Sequence, residues 1–140
     1  MSEVGRTQDA GFQIGVRRTV PHPAETVWAA LLSDAGLAAW LGGPVQCSLE
    51  PGASFTTAHG HEGEIRSVRP VDRIRARVRP PGRAAATTVQ IALVPAATGT
   101  AIVLHEEQLA DAAEREQRRT HWRSVADALA RVIDEQTSTR

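Results

Sequence analysis

Arg18 is the first residue whose chemistry asks for an explanation. It lies in the segment Gly11–Val20, where Phe12, Ile14, Val16 and Val20 alternate with polar residues, so a period of two turns its guanidinium toward the apolar face. A charge facing inward needs a partner or water. Glu106 is a carboxylate in the same position: if Ile102 and Leu104 point inward along Gly99–Leu109, so does Glu106. His105 and Glu107 then point outward, and a register shifted by one residue would exchange the two sets. No serine or cysteine stands in a nucleophile motif beside these groups, and the chain has no tyrosine, which removes phenol acid–base chemistry. No catalytic residue is assigned from the sequence.

Two further constellations carry charge or metal-ligand chemistry. His59 and His61, with Glu62 and Glu64 beyond, have the alternate spacing that lets two imidazoles share one face of a strand. A third ligand is missing nearby, and Gly60 and Gly63 mark a hairpin tip, so neither a metal nor any cofactor is expected. Arg73, Arg75, Arg77 and Arg79 alternate with Ile74, Ala76 and Val78, which lines four guanidinium groups along one sheet face. That stripe is either a solvated outer face paired with carboxylates such as Glu62 and Glu64, or a surface for an anion or a protein partner. It lacks the interleaved aromatics of a nucleic-acid site.

The elements that must position these groups are legible from spacing. Ala24, Val27, Trp28, Leu31 and Leu32 recur at helical intervals, and Leu37, Trp40 and Leu41 follow after a stop and restart at Ser33-Asp34, giving two short helices ended by Gly42-Gly43. Pro23 suits the first helical position. From Val45 to Glu107 the chain reads as strands separated by Pro51-Gly52, His59-Gly60, Val71-Asp72, Pro80-Pro81-Gly82 and Ala97-Thr98-Gly99. A final helix opens with Asp111 and Glu114 as a capping box and carries Trp122, Val125, Ala126, Leu129, Val132 and Ile133 on one stripe. Continued backward, that stripe meets Arg118, Arg119 and Arg115, so the first half of the helix does not face a dry core.

The chain has 140 residues, enough for one domain with one core. A single domain is expected over residues 11–136, with polar tails at 1–10 and 137–140. The 16 basic residues, all arginine, balance 16 acidic ones, so no global field attracts nucleic acid or an anionic membrane. The 23 alanines and the absence of lysine fit a GC-rich bacterial genome. No segment approaches the ~20 apolar residues of a membrane span, the first ten residues lack an apolar run, and Cys47 is the one cysteine; a cytoplasmic location is expected.

In order along the chain, HPAETVWAALLSDAGLAAWLG, PGASF, GEIRSVRPVDRIRARV, GTAIVLHEEQL and DAAEREQRRTHWRSVADALARVI resemble the activator-of-heat-shock-ATPase-like branch of the START-like, helix-grip (SRPBCC) superfamily, from about Phe12 to Ile133. Two departures stand out. Pro51-Gly52-Ala53 replaces the usual paired glycines, and His121 replaces the usual glycine before the helix tryptophan.

The resemblance implies an α+β helix-grip fold, with seven antiparallel strands curved around a long C-terminal helix and two short helices after the first strand. It makes the first and seventh strands neighbours, so an Arg18–Glu106 pair is expected at one end of the sheet, as a structural pair or as a charge that orients a ligand, with exposure of Arg18 at a strand end as the remaining reading. It implies a cavity between sheet and helix for an apolar or amphipathic small molecule. Candidate lining residues are Arg18, Trp40, Phe55, Ile65, Ile91, Glu106, Arg118 and Trp122, each of the apolar ones being equally readable as core. His105 is a candidate on the same resemblance. Cyclase-, aromatase- or hydrolase-type chemistry in that cavity, resting on Arg18, Glu106, His105 or His121, is the alternative. A chaperone-regulating or other protein-interaction role through the Arg73, Arg75, Arg77 and Arg79 stripe is the third.

Overall fold

The computed structural model describes residues 6–7 and 11–138. Seven strands form one antiparallel sheet in the order β1-β2-β7-β6-β5-β4-β3. They are β1 (Arg6–Thr7), β2 (Gly11–Val20), β3 (Ser54–Thr56), β4 (Glu62–Arg69), β5 (Arg73–Arg79), β6 (Thr87–Ala96) and β7 (Gly99–Leu109). Alternation decides which face is buried: Ile74, Ala76 and Val78 of β5, and Thr87, Val89, Ile91 and Leu93 of β6, all turn inward.

The strand inventory differs from expectation at two places. Val45–Glu50 forms no strand, and the seventh strand is instead the two-residue β1, whose Arg6 and Thr7 pair with Phe12 and Gly11. Most of the two expected tails lies outside the described residues. Where the structure does describe them, Arg6–Thr7 is paired and the last helix runs on through Ser138, with the Thr137 hydroxyl bonded to the carbonyls of Ile133 and Asp134.

Between β2 and β3 lie α1 (Ala24–Leu32) and α2 (Asp34–Leu41). Pro23 occupies the N-cap of α1, one residue before the expected position, because its extended backbone leads into the helix from the preceding strand. Ser33 serves both helices: its hydroxyl donates to Ala30 O at 2.6 Å and accepts from Gly36 N at 3.1 Å, ending α1 and capping α2. Gly36 is where the two helices touch, since a Cβ there would stand 1.9 Å from Ala30 O.

The long helix α3 (Ala112–Ser138) lies across the concave face, chiefly over β2, with α1 and α2 against its flank. Its cap forms as the spacing predicts: Asp111 accepts from Glu114 N at 2.8 Å, and Glu114 reaches back to Ala110 N at 2.7 Å. Trp122, Val125, Ala126, Leu129, Ala130 and Ile133 are buried against the sheet. Burying side chains of the size of Leu129 and Ile133 contributes roughly 1.5–3 kcal/mol each. No described helix is long and apolar enough to cross a membrane.

Candidate functional site

The end of the sheet beneath the first half of α3 is shaped by an irregularity in β7. Phe12 pairs with Leu109 but Ile14 pairs with Glu106, so β7 carries one extra residue there, and Gln108 takes a φ of 65° to accommodate it. The bulge turns both Glu106 and Leu109 inward although they are three residues apart.

Glu106 is 1% exposed. Its Oε1 accepts from Trp122 Nε1 at 2.7 Å and from Arg118 Nε at 2.7 Å, and its Oε2 accepts from the Thr87 hydroxyl at 2.6 Å. Arg118 and Trp122 are four residues apart on α3 and therefore share a face; the guanidinium carbon lies 5.7 Å from the indole centroid. A carboxylate offers about four acceptor positions, so three donors leave capacity for one more.

Arg83, from the turn after β5, braces this end. It grips Glu114 in a fork, Nε to Oε2 at 3.0 Å and an Nη2 to Oε1 at 2.9 Å, and the same Nη2 donates to Gln108 O at 3.0 Å across the bulge. The Arg83 hydrogen bond holds the Glu114 carboxyl below its ordinary range, against the opposing effect of burial. Between these groups lies a cleft of about 320 Å³, with Pro80, Pro81 and Leu109 as apolar walls and Glu106, Gln117 and Arg118 as polar ones.

The expected Arg18–Glu106 pair is not formed. The strands are neighbours as implied, but the register sets Arg18 opposite Ile102 and Ile14 opposite Glu106. Four residues of strand separate the two, about 13 Å. Arg18 instead reaches over the sheet edge to Asp127 of α3, both side chains being substantially exposed. Of the other cavity candidates, Glu106 and Arg118 line the cleft, and Trp122 anchors Glu106 from the core. Phe55, Ile65 and Ile91 are core residues, buried within the main cluster. Trp40 is core too, 2% exposed with its N–H donated to Leu31 O at 3.0 Å, so its indole has no free edge to stack on a ligand. The spacing of α2 put Trp40 on an apolar face but carried no information on where its N–H would end.

His105 points outward and bonds Gln13 at 2.8 Å on the neighbouring strand. Arg18, Glu106, His105 and His121 therefore do not meet in a common cavity, which removes the constellation on which catalysis would have rested. The arginine stripe faces outward: Arg75 donates to Gln90 at 2.8 Å and 3.2 Å, Arg79 pairs with Glu62 at 3.1 Å, and Glu64 is taken by Arg66 rather than Arg77. Among the described residues, no cluster of three or more His, Cys, Asp or Glu is arranged to hold a metal ion.

Sequence reasoning missed Arg83, Thr87, Leu109 and Gln117. Thr87 was findable, because it continues the inward stripe Val89, Ile91, Leu93 by period two. Arg83 had no local signal. Also missed was a groove of about 590 Å³ further along α3, where His59, His61 and His121 converge beside the end of α2. Burial, followed by the nearby Arg118 charge, pushes the His121 imidazole down to about 4; the Glu106 charge opposes this in part. His61 is lowered by the same two causes in the same order, with His59 adding to them.

Solved structures share this architecture. CalU16 from Micromonospora echinospora superposes with a TM-score of 0.76 at 20% identity, over 96% of this chain and 85% of that one. Protein MLL2253 from Mesorhizobium loti gives 0.75 at 20% identity over 88% and 97% of the two chains. DynU16, from the dynemicin biosynthetic locus, gives 0.75 at 24% identity over 87% of this chain but 47% of its own length. At these identities the likeness establishes the helix-grip fold. No curated protein matches the sequence. The family model for Activator of Hsp90 ATPase homolog 1-like protein matches residues 21–134, the stretch from the end of β2 into the last turns of α3, and the chain belongs to that family.

Proposed function

We propose that the protein binds a small amphipathic molecule in the cleft between β7, the β5–β6 turn and the first half of α3. The observation that carries this reading is Glu106, a buried carboxyl group held by Trp122, Arg118 and Thr87 at the wall of an open cleft, with an acceptor position to spare. A ligand hydroxyl or amine meets that position, Gln117 and Arg118 offer further polar contacts, and Leu109, Pro80 and Pro81 receive the apolar part. Pockets for small ligands enclose roughly 300–1,000 Å³, so a cleft of about 320 Å³ calls for a molecule at the small end of that range. Family membership is in keeping with a hydrophobic-ligand-binding or regulatory module in general.

Native mass spectrometry of gently purified protein tests the reading, with wild type and Leu109→Trp compared after confirming that both are folded. A discrete adduct on the wild type that the indole of the variant displaces is the expected result. An adduct that persists in Leu109→Trp overturns it. So does an empty wild type that small amphipathic amines and alcohols fail to stabilise at millimolar concentration.

A further inference from the structure

Further along α3, past the cleft, the groove beside α2 has walls and ends of distinct chemistry. Its walls are small and apolar: Ala35, Ala38 and Ala39 from α2 face Ala128 and Val132 from α3. One end is made of imidazoles. The glycines that close α2 let two of them in, since a Cβ on Gly42 would stand 2.5 Å from His61 Cδ2 and one on Gly43 would stand 2.7 Å from His59 Nδ1. Both glycines also need positive φ, 95° and 136°. His121, the residue that departs from the family pattern, completes the set from α3, packed edge-on to Trp122 with ring centroids 5.0 Å apart.

His61 Nδ1 is shielded from water and has no hydrogen-bond partner. A buried polar atom left in that state costs about 1–3 kcal/mol, and a ligand group that meets it after a small turn of the ring recovers the loss. The charges around this end are mostly positive or already committed. Arg118 lies close by on α3, and His59 sits at the turn before β4; Glu106 of β7 is taken up by Arg118, Trp122 and Thr87; α2 brings no charged side chain to the groove. The remaining charges, Arg131 and Glu135, belong to the far end, Glu135 being about 21 Å along the helix from His121.

We propose that this groove is a second binding site, for a monocarboxylate with a flat apolar body, its acid group on His61 and His121 and its body along the alanines of α2 and Val132. An anion supplies the acceptor that the imidazole cluster lacks, while the far end, with Arg131 and Glu135 of opposite sign, offers no net charge to a second acid. Because a carboxylate stabilises the protonated form of any imidazole it touches, binding takes up protons, and affinity rises as the pH falls. The low intrinsic proton affinity of His121 and His61 agrees with a free site that is kept neutral and charges when the anion arrives.

The test adds 2-naphthoate, and separately the uncharged 2-naphthalenemethanol, to the full chain while the imidazole NMR signals of all five histidines are followed. Naphthoate is expected to move His59, His61 and His121, to leave His22 and His105 in place, and to bind several-fold more tightly at pH 6 than at pH 8. The alcohol is expected to bind at least ten-fold more weakly, and His61→Phe, which keeps an aromatic ring but no nitrogen, to bind naphthoate at least ten-fold more weakly. Equal binding of the two probes, an affinity independent of pH, shifts at His22 or His105 instead, or no saturable binding to the wild type would each overturn the proposal. The histidine shifts and probe ratio are read on the unaltered protein, so a poorly folded variant does not cloud the result.

Discussion

The two halves of α3 cross the same sheet and meet opposite environments. From Val125 onward the inner stripe is buried at Ala126, Leu129, Ala130 and Ile133, and Val132, expected on the same stripe, is half-buried at its edge. Before Trp122, the same stripe is Arg115, Arg118 and Arg119, none of them fully buried, and the sheet below offers a carboxyl group and a cleft. Trp122 stands at the junction, 1% exposed with its ring in the core and its N–H on Glu106. A helix is one rigid element, so the change of chemistry along it marks where the apolar core gives way to the polar cleft.

The largest effect that separates the halves is a cavity in the dry one. Leu129→Ala, at a fully buried position, is expected to cost about 2–5 kcal/mol of stability, read from urea unfolding, with ligand binding at the cleft unchanged at saturation. A cost near zero would mean the second half is not packed as described. Next, Glu106→Leu in the other half leaves the Trp122 N–H without its acceptor while Arg118 can turn to water. A loss of roughly 1–3 kcal/mol is expected, together with loss of the adduct.

Acid sharpens the contrast, since the titrating groups belong to the first half. His121 has a folded pKa of about 4, below the ~6.5 of an unfolded histidine, so between those values the unfolded chain binds the extra proton. Its contribution is therefore full above pH ~6.5 and is eroded as the pH falls toward 4. Glu114 is depressed as well, and its contribution is present above ~4.3, the value of a free glutamate, and lost as the pH drops through its folded value. Urea midpoints measured from pH 7 to pH 3 should decline in two stages, and His121→Phe should shrink the upper one to the part that the lowered His61 contributes. The smallest effect belongs to Arg18→Ala: its pair with Asp127 is exposed on both sides, and a change within about 1 kcal/mol is expected.

Much of this architecture was legible in one sequence. Helical spacing located all three helices, the Ser33 junction and the Asp111–Glu114 cap, and alternation placed Glu106 on the inner face. These are local properties: a period of 2 or 3.6 is written into neighbouring residues. The break in the stripe at Arg118 was legible for the same reason. Cavity and core were not separable, because Phe55, Ile65 and Ile91 look alike as linings of either.

What the chain determined by itself is therefore which face each side chain takes. The tertiary structure alone decided whom it meets there. Glu106 was inward from its spacing, yet its partners are Arg118, Trp122 and Thr87 rather than Arg18, because a β7 bulge, a strand register and the crossing of α3 bring together groups far apart in sequence. The His59, His61 and His121 cluster arises in the same way, from a turn, a helix end and two glycines that yield space. Periodicity is a short-range signal, whereas register and helix crossing are set by the packing of the whole core, and the site lies where those long-range choices intersect.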